Sequence, residues 1–229
     1  MSNPVSIRDR WGSGHFEPSP VACLTQLPIS HSDAKILEEV GLPVTPRKAL
    51  ALFLRYENVN IVHEPKQVVP LIDRAVEKSA HFPRTGHSEI DAWGDLSSFV
   101  VLGEVPNDYE AGSQTFLTRF VCLDCVRGCI WWVYPKLREG KTDCSLFNAS
   151  LCAYLECLLI YREWREEGER LCSIYPDEDA AITDPNYQSL MGTAHRKFLH
   201  RLEEADPIGF KEGFWEFHAW NESILFGVA

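Results

Sequence analysis

In the middle of the chain a run of apolar, strand-forming residues breaks at a short turn and resumes. The first run reads Arg119-Phe120-Val121-Cys122-Leu123-Asp124 and the turn Cys125-Val126-Arg127-Gly128. The second run reads Cys129-Ile130-Trp131-Trp132-Val133-Tyr134-Pro135. This pattern predicts an antiparallel hairpin, 118–124 against 129–134. The run from Phe99 to Val105 predicts a further strand, and alternation at Leu50, Leu52 and Leu54 and again at Val59 and Ile61 predicts shorter ones. The polar stretches 81–95 and 107–114 read as loops. Residues 66–80 are ambiguous, because Pro70 either opens a helix or breaks one.

From residue 148 the period changes to that of a helix. Leu151, Tyr154, Leu155, Leu158, Leu159 and Trp164 recur at helical spacing. Asn148 is the expected N-cap and Gly168 the expected end. The first three turns are apolar on most sides, which predicts burial against the sheet, and the last two are charged. Asp184-Pro185 and Asp206-Pro207 each place an acid at a cap and a proline at the first helical position, so two more helices follow. An earlier helix opens at Ser30 with Asp33 at capping spacing, carries Ile36, Leu37 and Val40, and stops at Gly41 before Pro43. Residues 1–26 read as a partly ordered arm docked through Trp11 and Phe16, ahead of one domain over 27–229. A helix, several short strands and then three helices make an α+β domain, with a mixed, largely antiparallel sheet and helices packed on it.

A chain of 229 residues with 45% hydrophobic content supports one substantial core, or at most two small domains. No apolar run approaches the ~20 residues of a membrane span, and the first residues lack the apolar core of a secretion signal, so the expected location is cytoplasmic. Twenty-two Lys and Arg face 33 Asp and Glu, a formal charge of −11. That balance argues against direct nucleic-acid binding, which needs a cationic footprint, and favours a basic partner. The acidity is uneven: residues 150–190 hold nine acids and three bases, a local −6. The acids beyond the apolar turns of the helix are Glu163, Glu166, Glu167 and Glu169, followed by Asp177, Glu178 and Asp179. They form either a solvated helix end and loop or a steering patch for a cationic partner.

Catalytic motifs are absent: the chain has no nucleophile elbow, phosphate loop or Rossmann glycine pattern. Cys122, Cys125 and Cys129 resemble half a zinc site, with Cys144 or His87 as a conceivable fourth ligand. Neither belongs to a second close pair, so the expectation is buried, reduced thiols without metal or cofactor. His195 and His200 are five apart and do not share one helical face. His81, His87 and Asp91 have the spacing of a loose acid/base cluster within a loop. Asp124 reads as a turn residue bonding the backbone two residues on. Trp131 and Trp132 point to opposite faces of their strand; one belongs to the core, and the other, if exposed, makes an interface anchor.

The order of these segments resembles the SUKH superfamily, in its bacterial immunity-protein branch. Leu37-Glu38-Glu39-Val40-Gly41-Leu42-Pro43 is similar to that family's first helix ending in Gly-Leu-Pro, and Val101-Leu102-Gly103 to its central strand. Val121 to Asp124 with Gly128 to Trp131 resembles its hairpin, and Phe147-Asn148-Ala149-Ser150 its Asn-Ser-Ser segment, with Ala149 replacing a small hydroxyl residue. Asp206-Pro207, Trp215 and Ile224-Leu225-Phe226-Gly227 resemble its final helix. The resemblance implies a mixed sheet with helices packed on it and no catalytic apparatus. It also implies a gene beside a polymorphic toxin, often a nuclease or deaminase, which the protein binds and neutralises. Other relatives regulate cell-wall synthesis or answer viral attack. The leading expectation is therefore a cytoplasmic, non-enzymatic immunity protein that occludes the active site of a basic toxin domain and touches neither nucleic acid nor membrane. Its contact residues would be the seven acids above with Trp131 and Trp132. The alternatives are a non-catalytic ligand-sensing or regulatory scaffold, and a hydrolase built on the His81–Asp91 loop.

Overall fold

A computed structural model describes residues 4–44, 51–54, 57–63, 65–74, 97–105, 119–136, 141–175, 178–211 and 215. The loop candidates His81, His87 and Asp91, and Asp177, lie outside them. In order the chain forms α1 (Pro4–Trp11), β1 (Phe16–Glu17), α2 (Val21–Leu24), α3 (His31–Glu39) and β2 (Leu42–Pro43). Next come β3 (Ala51–Leu54), β4 (Glu57–Asn60), β5 (Val62–His63), β6 (Val69–Pro70) and a helical turn α4 (71–74). Then follow β7 (Phe99–Val105), β8 (Arg119–Asp124), β9 (Ile130–Lys136), β10 (Lys141–Asn148), α5 (Leu151–Cys172), α6 (Glu178–Thr183), α7 (Pro185–Ala205) and α8 (Pro207–Lys211). Pro70 ends a strand, and the helical turn starts directly after it.

The main sheet runs β10-β9-β8-β7-β5, with β6 beside β7 as well, and the described pairings are antiparallel. The hairpin has the expected register, with Phe120 opposite Val133, Cys122 opposite Trp131 and Leu123 opposite Ile130. Its turn is held by Asp124, whose Oδ1 accepts from the Val126 N–H at 2.9 Å and the Arg127 N–H at 3.3 Å. Gly128 closes the turn at φ 72°, donating to the Asp124 carbonyl at 2.7 Å.

Period-two alternation sorts the strand residues onto two faces. Val100, Leu102, Val121, Leu123, Ile130 and Trp132 join the large core cluster with α5. Phe99, Val101, Phe120, Cys122 and Val133 form a second cluster on the opposite face with Leu71, and Trp131 packs against it. A bulge between Leu146 and Asn148 inserts Phe147 as an extra residue. Phe147 and Asn148 are both fully buried, and Phe147 packs in the large cluster. There Phe147 meets Trp132, Tyr154 and Trp215 at ring-centroid distances of 5.8, 5.2 and 5.2 Å.

The bulge also moves the start of α5. Ser150, not Asn148, is its N-cap: the Ser150 hydroxyl accepts from the Ala153 N–H at 3.1 Å, while Asn148 stays in the strand. Nor does Gly168 end the helix. It is buried within α5, which continues to Cys172 with Leu171 in the core. Glycine weakens a helix by only about 1 kcal/mol, less than a buried leucine one turn later contributes.

At the N-terminal side, Ile7, Trp11 and Phe16 lie in the same core cluster as α5 and α7. Ser30 caps α3 as its spacing predicts, accepting from the Asp33 N–H at 3.1 Å. Gly41 then reverses the chain at φ 86°, and a Cβ there would collide with the Glu17 carbonyl. A Gly41→Ala variant is expected to lose about 2–3 kcal/mol, from the strained backbone plus the displacement of β1 from β2. A urea unfolding curve shifted by less than about 0.5 kcal/mol would contradict this account of the turn.

Candidate functional site

The acids of α5 are not a bare negative face. Glu163 lies between two helices, taking Arg10 of α1 at 3.0 Å and Arg201 of α7 at 2.5 Å. One turn earlier, Glu156 takes Arg10 at 2.7 Å. Glu166 pairs with Arg162 at 2.7 Å, Glu167 with Arg170 at 2.8 Å and Glu169 with Arg165 at 3.6 Å. Arg170 also holds the Glu167 carboxyl below its ordinary value through their hydrogen bonds. Arg162 donates to the Trp11 carbonyl at 3.0 Å and lies over the Trp11 ring at 5.1 Å. Five carboxylates on α5 thus meet five guanidinium groups, two of them from α1 and α7, so the excess of acid counted along the sequence is absent from this helix. Glu178 and Asp179 fall in α6.

Trp132 is core, against Phe147. Trp131 is half-buried on the other face, 6.4 Å from Phe99 between ring centroids, and its Nε1 has no hydrogen-bond partner among the described residues. The sheet is apolar on both faces, so neither tryptophan stands free.

Of the three thiols expected to be buried, only Cys122 is, in the second-face cluster; Cys125 packs half-buried on the large core and Cys129 is half-buried, so Cys122 and Cys125 do not converge. Burial raises the Cys122 thiol far above its usual value. It pushes Cys125 up to about 12, aided by the Asp124 carboxylate, and raises Cys129 in the same direction. A metal ligand or nucleophile needs the thiolate, which this environment disfavours. Among the described residues no group of three His, Cys, Asp or Glu is placed to hold a metal ion. His195 is half-buried beside Trp164, and His200 lies 3.4 Å from Glu204.

A buried polar junction forms at Asp206, a residue legible in sequence only as the cap of α8. It does cap α8, accepting from the Gly209 N–H at 3.0 Å through Oδ1. Its Oδ2 accepts from Asn148 Nδ2 and from the Ala149 N–H, each at 2.8 Å. This one buried carboxylate joins the end of β10, the start of α5 and the start of α8. Gly209 is what lets α8 approach: a Cβ there would sit 2.8 Å from the Phe147 carbonyl and 2.5 Å from Asp206 Oδ2. Beside this junction a cavity of about 480 Å³ opens between the first turns of α5, the last turn of α7 and α8. Cys152, Ala153, Glu156, Arg201, Glu204 and Ile208 are among its lining.

The sequence model of the SUKH-4 immunity protein family matches residues 7–222, nearly the whole chain. The chain belongs to the SUKH-4 immunity proteins. No curated protein and no solved structure matches it.

Within this SUKH-4 protein, segments that carry the resemblance and lie far apart in sequence meet at one place. Phe147 packs on Trp215, Asn148 bonds to Asp206, and Ser150 caps the helix between them. Gly41 and the bulge between Val101 and Gly103 shape other parts of the core. The recognisable residues of this SUKH-4 protein are thus structural and identify a fold. Its partner-contacting residues have to be sought on the surface around them.

Proposed function

We propose that this SUKH-4 protein neutralises a cognate polymorphic toxin without chemistry of its own, by lying over the toxin's active cleft. The observation that carries the reading is the family match over residues 7–222. The net charge of −11 supports a toxin with a basic cleft, of the kind a nuclease or deaminase needs to hold nucleic acid. Such a toxin acts in the cytoplasm, and the immunity protein would meet it there. No described helix is long and apolar enough to cross a membrane.

Because the α5 acids are matched by arginines, the acids that follow that helix in sequence, Asp177, Glu178 and Asp179, are the candidates for attraction over distance. Neutralising these three together is expected to slow association with the toxin domain about 3- to 10-fold at low salt, with little effect in about 1 M salt. Deleting the pair Glu167–Arg170, as Glu167→Gln with Arg170→Gln, leaves the net charge unchanged and is expected to leave the rate within about twofold. Stopped-flow mixing with the product of the neighbouring toxin gene reads both. A triple variant that associates at the wild-type rate at all salt concentrations removes the steering role. A wild-type protein that neither binds nor inhibits that toxin removes the function.

A further inference from the structure

We propose that the cavity between α5, α7 and α8 is the seat of an arginine side chain of the toxin. This rests on the function proposed above and names the contact through which binding is anchored. The lining combines an apolar wall, including Ala153, Pro207 and Ile208, with the carboxylates of Glu156 and Glu204.

The charges do not cancel within the cavity. Arg201 is engaged by Glu163 at 2.5 Å, and Asp206 is engaged by three N–H donors. Glu156 is only 8% exposed, yet among the described residues Arg10 binds only its Oε1, and Oε2 has no partner. A carboxylate oxygen withdrawn from water and left without a donor is costly, and a small shift of the Glu156 side chain toward the cavity it lines would give Oε2 a donor there. Glu204 is exposed at the rim, with the His200 ring at 3.4 Å.

The carboxylates of Glu156, Glu204 and Asp206 in the lining disfavour an anion, although the cavity lies over the start of a helix. The N–H groups of Ala149, Ala153 and Tyr154 already donate to Asp206, the Ser150 hydroxyl and the Ser150 carbonyl. A cation on an aliphatic stem fits both parts of the lining. Methylenes cover the apolar wall, and the planar guanidinium has five donors for two carboxylates. Ile208, 57% exposed beside the opening, offers apolar contact to whatever surface carries the arginine. An arginine held in such a pocket is a common form of binding hot spot.

The test uses two readouts on the full chain. In the first, ¹⁵N-labelled protein is titrated at low salt with Nα-acetyl-L-arginine amide and separately with Nα-acetyl-L-norleucine amide. Saturable shifts at the amides of Ala149, Cys152, Ala153 and Ile208 are expected for the arginine compound alone. Glu204→Gln should weaken them about threefold, and Ala153→Leu, which fills the cavity, should abolish them. No shifts with wild type, or equal shifts with norleucine, overturn the assignment.

In the second, the same variants meet the toxin domain. Ala153→Leu is expected to weaken affinity about 30-fold and Glu204→Gln about threefold. Should Ala153→Leu fail to fold, Glu204→Gln, on an exposed side chain, still reads the site. A toxin bound equally by wild type and a folded Ala153→Leu overturns the arginine seat and leaves the immunity function standing. A toxin that wild type does not bind overturns both.

Discussion

The protein is expected to lose about 2 kcal/mol of stability between pH 6.5 and pH 5 through one histidine. His63, on β5, is buried against α5, with Nε2 2.7 Å from the Tyr154 hydroxyl. Burial, the dominant cause, lowers its pKa from 6.5 to about 4, while the Pro43 carbonyl works in the opposite direction. Burial also keeps the Tyr154 phenol protonated, by raising its pKa far above the usual value. Above pH 6.5 His63 is neutral in both the folded and unfolded chain, and its burial carries no proton penalty. Between pH 6.5 and 4 only the unfolded chain takes up a proton, so stability falls as the pH falls, by about 1.4 kcal/mol per pH unit. The loss is complete near pH 4, at about 3 kcal/mol. Urea unfolding at pH 7.5 and pH 5 checks this against His63→Gln, which keeps an amide near Tyr154 and cannot titrate. Burial lowers His195 as well, so the readout is the difference between the two proteins. Equal pH dependence in wild type and His63→Gln would remove His63 as the cause.

Replacing Asp206 by alanine should cost more, about 3–5 kcal/mol. Three donors lose their acceptor: Asn148 Nδ2 and the N–H groups of Ala149 and Gly209. A buried donor without a partner costs roughly 1–3 kcal/mol, and water entering from the adjoining cavity offsets part of the total. Asp206→Asn keeps one carbonyl oxygen but turns an amide N–H₂ toward one set of donors, so an intermediate loss of about 1–3 kcal/mol is expected. The ordering alanine, then asparagine, then wild type in unfolding free energy is the signature of a shared acceptor. If Asp206→Ala loses less than about 1 kcal/mol, these three elements are held together by apolar packing alone.

The parts of the fold read correctly from sequence are those with a clear local pattern: the hairpin shows two apolar runs broken by a turn, and α5 and α7 show a period of 3.6. Errors arose where a long-range contact overrode the local signal. Asn148 has the chemistry of an N-cap, but its partner is a carboxylate 58 residues away, and the cap passed to Ser150. Gly168 has the chemistry of a stop, but the core beneath α5 extends past it. The two apolar faces of the sheet were in fact legible. Phe99-Val100-Val101-Leu102 and Phe120-Val121-Cys122-Leu123 are near-continuous apolar runs, the mark of strands covered on both sides.

The candidate site was least legible. A sequence supplies a count of charges but not their partners, and Arg10 and Arg201 neutralise α5 from 146 and 38 residues away. The cavity, formed by three helices with no motif in common, leaves no trace in the sequence.

The docking of α1 on α5 bears on how the protein is made. Arg10 meets Glu156 and Glu163, and Arg162 meets Trp11, across 146, 153 and 151 residues. At roughly 5–20 residues per second on the ribosome, Ile7 and Trp11 emerge on the order of ten seconds before the helix that buries them. Through that interval the apolar side chains of Ile7 and Trp11 lack the helix that covers them in the folded protein.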